Sequence, residues 1–334
     1  ETPGHITVVD RDQAVLDGLS EQQLDSTRTL VCADALEHVR TTDLSQYYLI
    51  LNMLPGRIGG KLREQLISSG TCVVDIAFAE DIPSEWHEVA SAAGTTFVHD
   101  VGIAPGLSNM LIAAASNEMG PLSKAAIRVG GNPTEPDDDW SYMAPFSPTD
   151  VLEEYTRPAR VFRDGRVVTM PALSDRHLFD VAGRGEMEAF RTDGLRSLLE
   201  SGLADQMDEF TVRWPGHIDR YLRDIESGEL DEKNLLEEWS WDPAREDFTW
   251  MDVITESRAG DSARWVFDVG VVHGCSSMTT ATGTVTLFVA RALLDDSIHM
   301  DAGVYAPENL PEGFLQLVTA AFEQSSPGAL IRVE

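Results

Sequence analysis

The chain has 334 residues, is 43% hydrophobic, and carries 56 acidic against 25 basic residues for a net charge of -31. Its length calls for two domains around sizeable cores, and so negative a charge excludes a nucleic-acid backbone as partner. No apolar run approaches the roughly 18 residues that cross a bilayer, and Cys32, Cys72 and Cys275 are too few and scattered for a disulfide framework, so a cytoplasmic setting off the membrane is expected.

Residues 5–9 are a β-branched run that ends at Asp10-Arg-Asp12 and predicts a first strand; residues 13–24 follow with helical spacing of Leu16, Leu19 and Leu24. The alternation continues with strands at 29–32, 47–51, 71–75 and 95–99, separated by helices near 35–40, 60–68 and 83–93. Five apolar strands divided by helices predict one parallel sheet covered on both faces.

In such a sheet the ligand lies at the carboxyl ends of the strands, and here those ends carry Asp10 with Arg11, Ala33-Asp34, Asn52 with Pro55, Asp75-Ile76, and Asp100. These are the candidate dinucleotide contacts. Asp10 in this row would hydrogen-bond the adenosine ribose hydroxyls and favour NAD, although it also suits a turn; Arg11 beside it keeps NADP open. A dinucleotide fold opens with a strand and a Gly-x-Gly-x-x-Gly turn about 20 residues before that acid. Only Gly4 precedes Asp10, so a further segment of roughly 25 to 30 residues bearing the turn is expected to belong before Glu1.

The stretch Asp100-Val-Gly-Ile-Ala-Pro-Gly-Leu-Ser-Asn109 reads as a tight corner into a small-residue helix through Ala115, with Ser108 or Asn109 available as cap. Beyond it, runs at 124–130, 160–162, 167–169, 210–214 and 265–272 predict strands in hairpin-like neighbours, and helices are expected at 150–155, 193–200, 217–225, 284–294 and 313–322. They predict an α+β domain with an open mixed or antiparallel sheet. The acidic residues 225–238 read as an insertion-like solvated stretch. Because acidic residues are spread along the whole chain, adaptation to high salt is expected: the melting temperature should rise from dilute buffer to molar salt.

The corner Asp100–Asn109 resembles the Asp-x-Gly-x-x-Pro-Gly-Leu-Ser-Asn turn of the saccharopine dehydrogenase-like family, its lysine 6-dehydrogenase branch in particular. Arg128-Val-Gly-Gly-Asn-Pro133, Ser147-Pro-Thr-Asp-Val-Leu-Glu-Glu-Tyr-Thr-Arg-Pro-Ala159, Phe190-Arg-Thr-Asp-Gly-Leu-Arg196, Arg213-Trp-Pro-Gly-His217 and Met278-Thr-Thr-Ala-Thr-Gly283 are similar to its later blocks, in order. Departures include Phe146 where a tryptophan is common.

The resemblance implies a cofactor domain over 1–107, to which 278–334 returns, and a substrate and dimerisation domain over 108–277 in a homodimer. It also implies an NAD(P)-dependent dehydrogenase that oxidises an amine carbon of an amino acid or diamine, with NAD the first choice of cofactor. A dehydrogenase for another amine such as carboxynorspermidine, or a non-catalytic metabolite-binding relative, are the alternatives. Within that frame His217 is the first candidate for proton exchange, since imidazole titrates near neutrality. Asp100 either pairs with the substrate ammonium or serves as base if burial raises its pKa. Arg213 would clamp a substrate carboxylate, Thr192 and Asp193 would bond the polar end, and Gly102, Thr280 and Thr282 would line the cleft. No histidine or cysteine pair has zinc-ligand spacing, so no metal is expected.

Overall fold

The computed structural model describes residues 4–21, 27–144, 147–272 and 274–333, so Phe146 and the last residues of the helix expected at 13–24 lie outside the described residues. Fifteen strands are assigned among them: β1 His5–Asp10, β2 Thr27–Cys32, β3 Leu49–Asn52, β4 Cys72–Asp75, β5 Thr96–His99, β6 Leu122–Pro133, β7 Ala159–Arg163, β8 Arg166–Met170, β9 His177–Val181, β10 Gly185–Arg191, β11 Ala204–Arg213, β12 Asp247–Ser257, β13 Ser262–Gly270, β14 Gly303–Tyr305 and β15 Leu330–Arg332.

The fold is α/β, with parallel strands ahead of a large mixed sheet. The expected single five-stranded parallel sheet is instead two sheets: β1 pairs only with β2, while β3, β4, β5 and β14 form a separate set of four. Among the described residues β1 and β3 each pair with a strand on one side only, and the residues of β1 are exposed or half-buried.

The mixed sheet runs β15-β13-β12-β6-β11-β10-β9, with β7 and β8 attached to β11. All its pairings are antiparallel except β6 with β11. Its interior strand β12 is absent from the sequence reading because Asp252 and Asp247 interrupt the apolar alternation. Asp252 is fully buried between Arg128 and Arg264, whose Nε donates to it at 2.9 Å, so a paired acid occupies a core position. Glu188, buried and paired with Arg176, hides β10 in the same way, and the exposed Glu186 adds to it.

One core joins the sheets. Helices Leu107–Met119, Ser277–Leu294 and Glu312–Ser325 pack Leu111, Ala115, Val285, Val289 and Phe322 against Val74 and Val98 on one side and Ile127, Met251 and Phe267 on the other. The helix Leu107–Met119 is buried or half-buried over most of its length, which explains its small-residue, weakly amphipathic sequence. Segment 278–334 contributes to both sheets, since β14 pairs with β5 and β15 with β13.

A second cluster of Trp140, Tyr142, Tyr155, Phe190, Tyr221 and Trp239 backs the mixed sheet. It corrects the reading of 225–238: Asp231 caps a helix Glu232–Glu238 that buries Leu235, and Glu238 accepts a hydrogen bond from Trp140 Nε1 at 2.6 Å. No described helix is long and apolar enough to cross a membrane.

Candidate functional site

The corner after β5 closes on itself. Gly102 N donates to Pro105 O at 2.9 Å, Leu107 N to Gly102 O at 2.9 Å and Ser108 N to Ile103 O at 3.0 Å. Gly106 has φ +134, and a Cβ on it would lie 1.8 Å from Gly102 O, so only glycine fits. Asn109 Oδ1 receives Gly106 N at 3.3 Å, while its Nδ2 donates to Ser197 Oγ at 3.2 Å and Glu308 Oε2 at 2.9 Å, tying the corner to two distant segments.

Beside this corner, at the carboxyl ends of β3, β4 and β5, lies a cavity of about 480 Å³. One wall is Leu54, Pro55, Ile76 and Phe78; another comes from the helix Ser277–Leu294; the floor is β6 and β11 of the mixed sheet. Of the expected residues, Asp100, Gly102, Pro55, Ile76, Thr192, Arg213 and Thr282 line it. Thr280 does not: Thr279, Thr282, Gly283 and Thr286 follow helical spacing along one face, and Thr280 falls off it.

Several expected contacts are engaged elsewhere. Asp193 is gripped by Arg160 through Nε and Nη2, both at 2.8 Å, and lies behind the wall. Asp75 accepts from Arg63 Nε at 2.7 Å, Ala77 N at 2.8 Å and Asn52 Nδ2 at 3.0 Å, so Asp75 and Asn52 brace the loop after β4 and do not line the cavity. Asp10, Arg11, Ala33 and Asp34 also lie off it, at the ends of β1 and β2; Asp10 Oδ1 accepts Asp12 N at 2.8 Å and Asp34 Oδ1 caps a helix through Glu37 N at 3.1 Å.

His217 requires the largest correction. It is 2% exposed, with Nδ1 2.9 Å from Trp140 O and Nε2 3.1 Å from Tyr155 OH, and it is absent from the cavity wall. A carbonyl accepts only, which assigns the proton to Nδ1 and makes Nε2 the acceptor of the Tyr155 hydroxyl. Burial, then the charge of Arg213, pushes its pKa down to about 3. The imidazole is therefore neutral throughout the physiological range and fixes Tyr155 in place.

Asp100 is buried, with Arg196 Nη2 and His99 Nδ1 each 3.2 Å from its oxygens. Burial opposes ionisation, but Arg196 and then His99 outweigh it and hold the carboxyl well below the usual carboxylate range. It stays an anion, which removes it as a titrating base.

The sequence reading missed three carboxyls that line the cavity. Glu209, 3% exposed, accepts Thr192 Oγ1 at 2.6 Å and Gly194 N at 3.1 Å, and burial pushes its pKa up to about 8. Burial, only partly offset by Arg213, pushes Glu154 up to about 7; Asp150, one helical turn earlier, is pushed by burial up to about 6. The signal was available for Glu209, because Glu209, Thr211 and Arg213 alternate along one strand face. Arg213, 3% exposed, is held by Tyr155 OH at 2.9 Å from Nε and by Val212 O at 2.9 Å from Nη1. Among the described residues it makes no ion pair.

A stability consequence follows for Glu209. Its folded pKa lies above the unfolded value of 4.5, so its contribution is complete below about pH 4.5 and is lost as pH rises through about 8. Glu209→Gln removes that loss. Its stability relative to the unmodified chain should grow from about pH 4.5 to 8 and then level, by up to about 5 kcal/mol in urea melts. A difference independent of pH would contradict the burial argument.

Residues 102–321 match the family model of the saccharopine dehydrogenase C-terminal domain. An alpha-aminoadipic semialdehyde synthase of Arabidopsis thaliana is 22% identical over 147 residues, which are 42% of this chain. The chain spans only 14% of the length of that curated relative. The apo saccharopine dehydrogenase (L-Glu forming) of Saccharomyces cerevisiae superposes with a TM-score of 0.70 at 14% identity, covering 99% of this chain and all of that one. A homospermidine synthase of Legionella pneumophila, solved in complex with NAD, gives 0.69 at 9% identity, covering 95% and 83%. At these identities the two structures share the fold.

Proposed function

Since the chain belongs to the saccharopine dehydrogenase C-terminal domain family, we propose that it is an NAD(P)-dependent oxidoreductase that removes hydride from a nitrogen-bearing carbon of an amino-acid substrate, of the lysine 6-dehydrogenase or saccharopine dehydrogenase type. The observation that carries this reading is the buried Arg213, which makes no ion pair among the described residues and shares with Glu154 and Glu209 the lining of a cavity at the carboxyl ends of a parallel sheet.

The cavity suits a nicotinamide ring on one side. Leu54, Pro55, Ile76 and Phe78 give it an apolar wall, and Gly102 removes a side chain where the corner approaches. These residues would hold the ring, and Asp10 the adenosine ribose; NAD(P) supplies the hydride acceptor when bound. In this division of labour residues 1–107 and 278–334 serve the cofactor and 108–277 the substrate.

The chain's own residues do the rest. Arg213, fixed by Tyr155 and Val212 O, binds the substrate carboxylate through a rigid fork. Glu154, titrating near 7, takes a proton from the substrate ammonium before hydride leaves and exchanges it with water as the imine hydrolyses. The aromatic layer behind the floor excludes bulk water and keeps these charges effective.

Cofactor reduction by the full chain, assayed with lysine, saccharopine and related diamines, tests the reading. Amine-dependent reduction of NAD or NADP is expected; neither reduction nor dinucleotide binding with any of these amines would reject it.

A further inference from the structure

The floor of the cavity carries an acidic and a basic side chain four residues apart on one strand. Glu209, Thr211 and Arg213 all line the cavity from β11, and at about 3.3 Å per residue the Cα atoms of Glu209 and Arg213 are roughly 13 Å apart. The acidic end is as carefully assembled as the basic one. Oε2 of Glu209 receives Thr192 Oγ1 and Gly194 N, whereas Oε1 has no hydrogen-bond partner among the described residues. Gly194 gives the carboxyl its room, since a Cβ there would lie 2.5 Å from the Glu209 carboxyl carbon. Thr192 Oγ1 also lies 2.7 Å from Thr211 Oγ1, which brings a second oxygen to the same spot.

We propose that Glu209, with Thr211 beside it, is a subsite for a second ammonium group that does not react, so that the substrate carries two amino groups and one carboxylate. This deepens the oxidoreductase reading and rests on it in one respect, that Arg213 takes the carboxylate. An ammonium brings three donors, which a free carboxylate oxygen and a threonine hydroxyl can accept. The lining agrees: among the described residues Arg213 is the one basic side chain on the cavity wall, beside Asp150, Glu154 and Glu209, while Asp100 is already paired with Arg196 and His99. A tricarboxylate would bring more negative charge than Arg213 can answer. Burial of an ammonium against Glu209 also forces that carboxyl to ionise, because its pKa is otherwise pushed up to about 8.

Calorimetric titration of the full chain near pH 7 with L-lysine, 6-aminohexanoate and saccharopine tests the subsite. Lysine should bind roughly 10- to 100-fold more tightly than 6-aminohexanoate, which lacks the second amino group, and should release a proton on binding. Glu209→Gln should remove both the preference and the proton release. Gly194→Ala, which displaces the carboxyl without removing it, should reduce the preference. The inference is overturned if Glu209→Gln retains the lysine preference, or if saccharopine binds as tightly as lysine. The two readings fail separately. A Glu209-dependent preference without cofactor reduction defeats the oxidoreductase reading alone, and cofactor reduction with a Glu209-independent preference defeats the subsite alone.

Discussion

Arg213→Met is expected to lower kcat/KM for a carboxylate-bearing amine by about 10²- to 10³-fold while leaving a folded protein. The asymmetry comes from the partners of Arg213. It is held by a tyrosine hydroxyl and a backbone carbonyl and makes no ion pair among the described residues, so its removal breaks no salt bridge, and Glu154 loses only the charge that partly offsets its burial. The substrate carboxylate, by contrast, loses its bidentate partner in a desolvated site. Arg213→Lys should recover part of the loss, since it restores the charge but not the fork. Kinetics with paired substrates that differ only in the carboxylate check the claim: an equal loss for the carboxylate-free amine would show that Arg213 acts through the fold.

Arg196→Met is expected to destabilise the chain by about 3–5 kcal/mol, the largest effect on folding among single changes at this site. Arg196 is fully buried and donates to Glu80 O at 3.2 Å, Asp81 O at 3.0 Å and Asp100 Oδ1 at 3.2 Å, so it fastens the segment after β10 to the loops after β4 and β5. Without it Asp100 keeps a buried charge answered only by His99 and, at longer range, Arg63. Adding Asp100→Asn should return a good part of the loss, because a neutral amide costs less to bury than a stranded carboxylate. Urea midpoints of the two single variants and the double variant give the coupling; additive losses would contradict the ion-pair account. The same geometry bears on Asp100→Ala. That change would leave Arg196 without its acid, and stability should fall with activity.

Much of the fold was legible because its signals are local. The parallel strands are short β-branched runs between helices, and the glycines of the corner announce a close approach that Gly106 makes obligatory. What the sequence concealed was charge in the core. The buried Asp252 between two arginines hid the interior strand β12, and Glu188, buried beside Arg176, hid β10. The site shows the same limit. Arg213, Gly102, Thr192 and Thr282 could be placed from motif and spacing, whereas the engaged state of Asp193, Asp75 and His217 depends on partners far along the chain. Glu154 was passed over because a glutamate on an amphipathic helix ordinarily faces water; only the fold of the mixed sheet encloses it.

The most direct test of the account concerns which group exchanges the proton. The pH dependence of kcat/KM should rise through about 7 as Glu154 ionises, should lose that limb in Glu154→Gln, and should keep it in His217→Gln, whose parent imidazole is already neutral there. A limb that survives in Glu154→Gln and disappears in His217→Gln would contradict it.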